Sequence, residues 1–141
     1  MIANRVSLTL KNSPTELQVM GQRVKQFGQA LGLADKILFQ ICLATEELVG
    51  NIISHGYIDD HVHWITVTVS HQDGILEIRV EDDGAPFDPC SVVEPDCQCP
   101  VEQRKEGSLG IHLARKVMDD MVYERCGNRN ILILRKDIRA G

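Results

Sequence analysis

The sequence predicts an α+β fold, a two-layer α/β sandwich whose mainly antiparallel, mixed sheet carries its helices on one face. Three observations predict it. Short segments with apolar residues at every second position mark strands near both ends and in the middle of the chain. Segments with apolar residues three and four apart mark helices between them. Asp73-Gly74 and Gly127-Asn128 stand between consecutive strands, where hairpins turn. The resulting order is βααββ, a long loop, then αββ, and consecutive strands joined by short turns pair antiparallel.

The elements follow in order. Val6, Leu8 and Leu10 alternate in a first strand. Ser13-Pro14-Thr15-Glu16 opens a helix: Ser13 is placed to cap it, Pro14 suits its first position, and Glu16 completes a capping box. Leu17, Met20, Val24, Phe27 and Leu31 then form one apolar stripe, which Gly32 ends. A second helix runs from about Asp35 to His55 with Gly56 as its stop. Leu38, Ile41, Cys42, Val49 and Ile52 make it apolar on much of its surface, as expected of a central helix. Ile65, Val67 and Val69 define a second strand, and Leu76, Ile78 and Val80 a third. Residues 84–107 hold four of the five prolines and read as a long loop, a length usually reserved for function or disorder. A helix from about Leu109 to Met121 and strands near 122–126 and 131–136 complete the chain.

With 141 residues and 43% hydrophobic side chains, the chain is expected to form one domain, 1–141, with a core of its own. No run of purely apolar residues approaches the roughly 18 needed to span a bilayer, and the polar N-terminus resembles no secretory signal. A cytoplasmic location without membrane contact is expected. A net charge of −5 argues against nucleic acid as a main partner. The charge is uneven: residues 1–103 carry 6 basic and 15 acidic side chains, residues 104–141 carry 9 and 5. An anionic ligand would favour the C-terminal third, although a solvated surface produces the same imbalance. The five cysteines, Cys42, Cys90, Cys97, Cys99 and Cys126, are odd in number and read as reduced thiols. Cys90, Cys97 and Cys99 could hold zinc with His61 or His63, but their spacing matches no common zinc pattern, and free loop thiols are the reading preferred.

Three places carry chemistry. Glu47 and Asn51 are four apart and share a helix face. Buried there, a carboxylate and an amide need partners. Asp82 continues the parity of Leu76, Ile78 and Val80, so it is an acid on the covered face at the end of a strand, followed by Asp83-Gly84. It could accept a hydrogen bond from a ligand amine, or bind its own backbone as turn aspartates do. Gly107-Ser108-Leu109-Gly110 opens a helix, where free N–H groups attract phosphate oxygens. No Gly-x-x-x-x-Gly-Lys is present, so the site is not of the Walker type.

In order and separation, Glu47-Leu48-Val49-Gly50-Asn51, Asp82-Asp83-Gly84-Ala85-Pro86-Phe87-Asp88 and Gly107-Ser108-Leu109-Gly110-Ile111 resemble the three boxes of the GHKL ATPase/kinase superfamily. Ala44-Thr45-Glu46-Glu47-Leu48, His55-Gly56-Tyr57, Leu109-Gly110-Ile111-His112-Leu113 and Met118-Asp119 resemble its small bacterial anti-sigma-factor serine/threonine kinases. The resemblance covers nearly the whole chain and implies the Bergerat ATP-binding fold, ATP and Mg2+. It further implies that Glu47 is the general base and Asn51 the magnesium ligand. Asp82 would accept from the adenine amino group, and Gly84 would let the chain turn under the base. Gly107, Ser108, Leu109 and Gly110 would line the phosphates, with the loop before them as the lid. The implied activity is phosphorylation of a serine or threonine on a STAS-type antagonist by a protein that also sequesters a sigma factor, with a homodimer left open. Ser108 stands where such proteins often have glycine, and Glu106 where some carry a base. Two alternatives accompany this reading: a non-catalytic, ATP-gated binding module, and a detached ATP-binding domain of a histidine-kinase system.

Overall fold

A computed structural model describes residues 4–91 and 108–139, with Ser108 described by its backbone only. The elements are β1 (Arg5–Lys11), α1 (Thr15–Ala30), α2 (Asp35–His55), β2 (Trp64–Gln72), β3 (Ile75–Asp82), a short 3-10 turn (Pro89–Ser91), α3 (Ser108–Val117), β4 (Asp120–Cys126) and β5 (Arg129–Asp137). The strands form one sheet in the order β1-β2-β3-β5-β4. Every pairing is antiparallel, so the expected mixed character is absent among the described residues.

Alternation decides which face is covered. Ile65, Val67 and Val69 of β2 and Leu76, Ile78 and Val80 of β3 are buried with Leu132 and Leu134 of β5. They pack in one core with Met20, Val24 and Phe27 of α1, Ile41, Ala44, Leu48 and Val49 of α2, and Ile111 and Ala114 of α3. Fully burying a side chain of this size contributes about 1.5–3 kcal/mol. The opposite face mixes ion pairs with a few apolar side chains, Trp64, Val122, Ile131 and Ile133 among them: Arg135 Nε donates to Glu77 Oε1 across β5 and β3 at 3.1 Å, and Arg79 Nη2 to Glu81 Oε1 at 2.8 Å. The β2–β3 turn uses Asp73 and Gly74 with φ of 54° and 79°, the left-handed pair that a tight hairpin requires.

The ends of two helices depart from the sequence reading. The capping box at α1 does not form: Pro14 is the cap residue and makes no side-chain cap bond. Ser13 Oγ lies 3.1 Å from Thr15 Oγ1, and Glu16 Oε1 accepts from the Lys11 N–H at 3.3 Å, tying the helix to β1 instead. α3 stops at Val117, and Met121 belongs to β4. Asp119 and Asp120 follow, and acids are unfavourable at the negative end of a helix. The Asp119 N–H donates to Arg135 O, which turns the chain into the sheet. α2 has both the length and the mean hydropathy of a membrane span, although Asp35, Lys36, Glu46 and Glu47 interrupt it and it holds no long purely apolar run. Its apolar face is nevertheless spent on the core, where Ile41, Ala44 and Val49 have no exposure.

Candidate functional site

A cavity of about 380 Å³ opens between the C-terminal half of α2 and the ends of β3, β4 and β5. Leu48, Ile52, Ile111, Leu132, Pro86 and Phe87 give it apolar walls; Asn51, His55, Asp82, Tyr123 and Asn130 supply the polar groups. The volume falls within the range of small-molecule pockets, which pair apolar walls with a few polar groups.

Asp82 forms the floor. It is only 4% exposed and ends β3 on the inner face, as its parity requires. One oxygen is fully used by the protein: Oδ1 accepts from the Gly84 N–H at 2.8 Å and from Asn130 Nδ2 at 3.0 Å. The local-turn reading of this aspartate therefore holds for Oδ1. No described residue donates to Oδ2, so that oxygen is the acceptor left for a ligand amine. Gly84 is required sterically. A Cβ there would lie 2.6 Å from Gly56 O and 2.9 Å from Asp82 Oδ1. Gly56 O in turn accepts from the Ala85 N–H at 3.0 Å, pinning the end of α2 to the start of the loop.

Asn51 faces the cavity from α2. Its Nδ2 donates to Glu47 O at 2.8 Å. A carbonyl only accepts, so this bond fixes the amide and leaves Oδ1 as the free end, which is the atom a hard cation takes. The residues present thus fit magnesium: one fixed oxygen, with phosphates and waters to complete the shell. Glu47 points elsewhere. A Cβ on Gly110 would overlap its carboxylate, so α2 and α3 meet where Gly110 leaves room for that group. Neither residue lines the cavity, but their neighbours Leu48 and Ile111 do. Glu46 instead leans on α1, where a Cβ at Gly21 would lie 2.7 Å from its Oε1.

Leu109 is half exposed in the first turn of α3. Gly107 and residues 92–106 of the proposed lid, Cys97 and Cys99 among them, lie outside the described residues, and so does the Ser108 side chain. Among the described residues no cluster of three or more ligating side chains could hold a metal. Cys90 Sγ donates to Met121 O at 3.2 Å, and burial, then the charge of Asp88, pushes its thiol up to about 11. His63 is engaged elsewhere: Nε2 lies 2.8 Å from Asp59 Oδ1 and Nδ1 3.2 Å from Asp83 Oδ1. Those bonds, Asp59's first, raise its pKa, while Asp59 is lowered chiefly by His63. Its ring stacks on Tyr57 at 4.2 Å, and the buried Tyr57 hydroxyl has no hydrogen-bond partner among the described residues.

The sequence reading missed Asn130. It lies opposite Asp82 in the β3–β5 register and is buried. Its Nδ2 also reaches Ala85 O at 3.0 Å and Gly84 O at 3.3 Å. Tyr123 Oη donates to its Oδ1 at 2.5 Å, and Arg125 Nη1 donates to the same oxygen at 3.0 Å and to Gly84 O at 2.8 Å. Starting the last strand at 131 left Asn130 in the turn; counting the register back from Gly127-Asn128 would have found it.

A layer of helices on an antiparallel sheet, with a cavity between a buried aspartate and a helix-borne asparagine, is the architecture of an ATPase domain. The chain belongs to the histidine kinase-like ATPase domain family, whose model matches residues 10–136. It is similar to serine/threonine-protein kinase BtrW of Bordetella bronchiseptica, 26% identical over 99 residues that make up 70% of each protein. Its fold is similar to part of the solved structure of the RsbU and RsbW domains of a Mycobacterium tuberculosis protein, with a TM-score of 0.72 at 15% identity. That match covers 96% of this chain but only 33% of the other, so the chain spans about a third of that protein's length.

Proposed function

We propose that the chain is an ATP-dependent protein kinase that phosphorylates a serine or threonine of a STAS-type antagonist and sequesters a sigma factor. The observation that carries nucleotide binding is the pairing of two oriented oxygens on one cavity: Asp82 Oδ2, left free because Oδ1 is saturated, and Asn51 Oδ1, left free because Nδ2 is tied back. The first would take the adenine amino group and the second magnesium, which would bridge and neutralise the phosphates. Glu47 would draw the proton from the attacking hydroxyl, and Gly107, Ser108, Leu109 and Gly110 would meet the phosphates at the start of α3. The kinase reading is supported by the likeness to BtrW.

Glu47 packs against Gly110 outside the cavity wall, and this favours a second reading: a module whose ATP state controls a partner without phosphate transfer. Calorimetric titration and a single-turnover transfer assay on a purified STAS-type antagonist separate the two. Asp82→Asn should cost ATP tenfold or more in affinity, because the amide can present a donor where an acceptor is needed. Unchanged affinity would remove Asp82 from the base site. Tight ATP binding without transfer to any antagonist would leave the ATP-gated module.

A further inference from the structure

Within the nucleotide-binding reading, on which this inference rests, the polar groups behind Asp82 form a chain that ends at the half-buried Arg125 of β4. Arg125 and Tyr123 both donate to Asn130 Oδ1, at 3.0 Å and 2.5 Å. Arginine has no acceptor, so the Asn130 amide can be oriented in one way only, oxygen toward Arg125 and nitrogen toward Asp82. Nδ2 then donates to Asp82 Oδ1 at 3.0 Å and to Ala85 O at 3.0 Å. Asn130 is 7% exposed, and a buried amide with each end matched to fixed partners does not rotate freely. We propose that Asn130, held by Arg125 and Tyr123, is the positioning residue that sets which nucleobase Asp82 accepts. By occupying Oδ1 it leaves Oδ2 turned to the cavity as a pure acceptor. A base with an exocyclic amino group there is bound; one with an exocyclic oxygen meets carboxylate oxygen with carbonyl oxygen and is rejected.

The network also explains its own reach. Arg125 does not line the cavity; it bonds Asn130 Oδ1, Gly84 O and, in the β4–β5 turn, Gly127 O, so it influences the base through other groups and not by contact. A purely structural role for these residues would weaken every nucleotide alike. A role in orienting the acceptor weakens the amino-bearing base selectively.

The experiment is calorimetric titration of the full chain with magnesium-ATP and magnesium-ITP, which differ at the exocyclic 6-position and at the adjacent N1, an acceptor in adenine and an N–H donor in hypoxanthine. Wild type should prefer ATP by about tenfold or more, the worth of one charge-assisted hydrogen bond. Asn130→Ala should lose most of that preference by weakening ATP about tenfold while moving ITP less than about twofold. Arg125→Met, distant from the ligand, guards against a folding defect in the first variant and should reduce the ratio about threefold, the share expected from loosening one anchor of two. Equal losses for ATP and ITP in both variants, or an unchanged ratio, would overturn the positioning role while leaving ATP binding standing. A wild type that does not distinguish ATP from ITP would overturn both this inference and the base-site reading of Asp82.

Discussion

Replacing Gly84 with alanine tests the geometry of the pocket floor most directly. The added methyl would sit 2.6 Å from Gly56 O, 3.2 Å from Gly56 C and 2.9 Å from Asp82 Oδ1. The first two are backbone atoms at the end of α2 and cannot swing away as a side-chain tip can. Either α2 shifts from the sheet or the loop lifts, and both break the 3.0 Å bond from the Ala85 N–H to Gly56 O. Overpacking of this kind costs about 1–3 kcal/mol, and the lost hydrogen bond about 0.5–1.5 more. A loss of about 2–4 kcal/mol, at a mid-range urea slope of about 2 kcal/mol per molar, moves the unfolding midpoint by roughly 1–2 M. ATP affinity should fall with it, because the Gly84 N–H also holds Asp82 Oδ1 at 2.8 Å. Urea denaturation followed by circular dichroism, with calorimetric titration beside it, measures both. A midpoint within about 0.3 M of wild type would refute the reasoning, since the crowding would then be relieved by a movement too small to matter.

Gly50→Ala is the matched control, because the nearest atom to its Cβ would be Leu17 Cδ1 at an ordinary 3.7 Å; inside α2 it should stabilise by about 0.5–1 kcal/mol in the same urea titration. Glu47→Gln should leave ATP binding nearly intact and slow phosphate transfer about 10²–10⁴-fold in a single-turnover assay; Asn51→Ala should damage binding and transfer together, since the proposed metal oxygen is lost. His63 has a pKa raised above its ordinary 6.5 and Asp59 one lowered below 3.8, each through the other. The histidine's contribution is therefore fully present below about pH 6.5 and lost as pH rises through its higher folded value. Asp59's is present above about pH 4 and lost as pH falls through its lower one. In paired urea titrations the stability gap between wild type and His63→Gln should be wider at pH 5.5 than at pH 8.5; an equal gap would show that the bridge is not ionic.

What could be read from the chain was what local period dictates. Alternation along Leu76, Ile78 and Val80 carried Asp82 to the inner face, and Gly56 closed α2 where the structure closes it. The features that escaped depend on partners far along the chain. Glu16 looks like a cap residue by spacing, yet β1 offers it the Lys11 N–H. Met121 sits on the apolar face of the helix pattern, yet two aspartates and the Arg135 carbonyl redirect the chain before it. Asn130 has polar character that suits a turn, and only its pairing opposite Asp82 makes it part of a pocket. A spacing of 48 residues between two halves of one hydrogen bond leaves no signal in a local window.

The position of Asp82 and Asn130 on two adjacent interior strands carries a consequence for the lifetime of the protein. β3 is bracketed by β2 and β5, so the floor of the pocket cannot come apart without opening the middle of the sheet. A molecule held on that floor has no site on the opened chain, and by mass action its occupancy adds to the free energy of unfolding. At a hundredfold excess over its dissociation constant the addition is about 2.7 kcal/mol. Nucleotide concentration then becomes a determinant of abundance. In a well-fed cell the chain would tolerate core defects such as a shortened side chain at Ile78 or Leu134, and on starvation the same variants would be cleared first by proteases that act on opened chains.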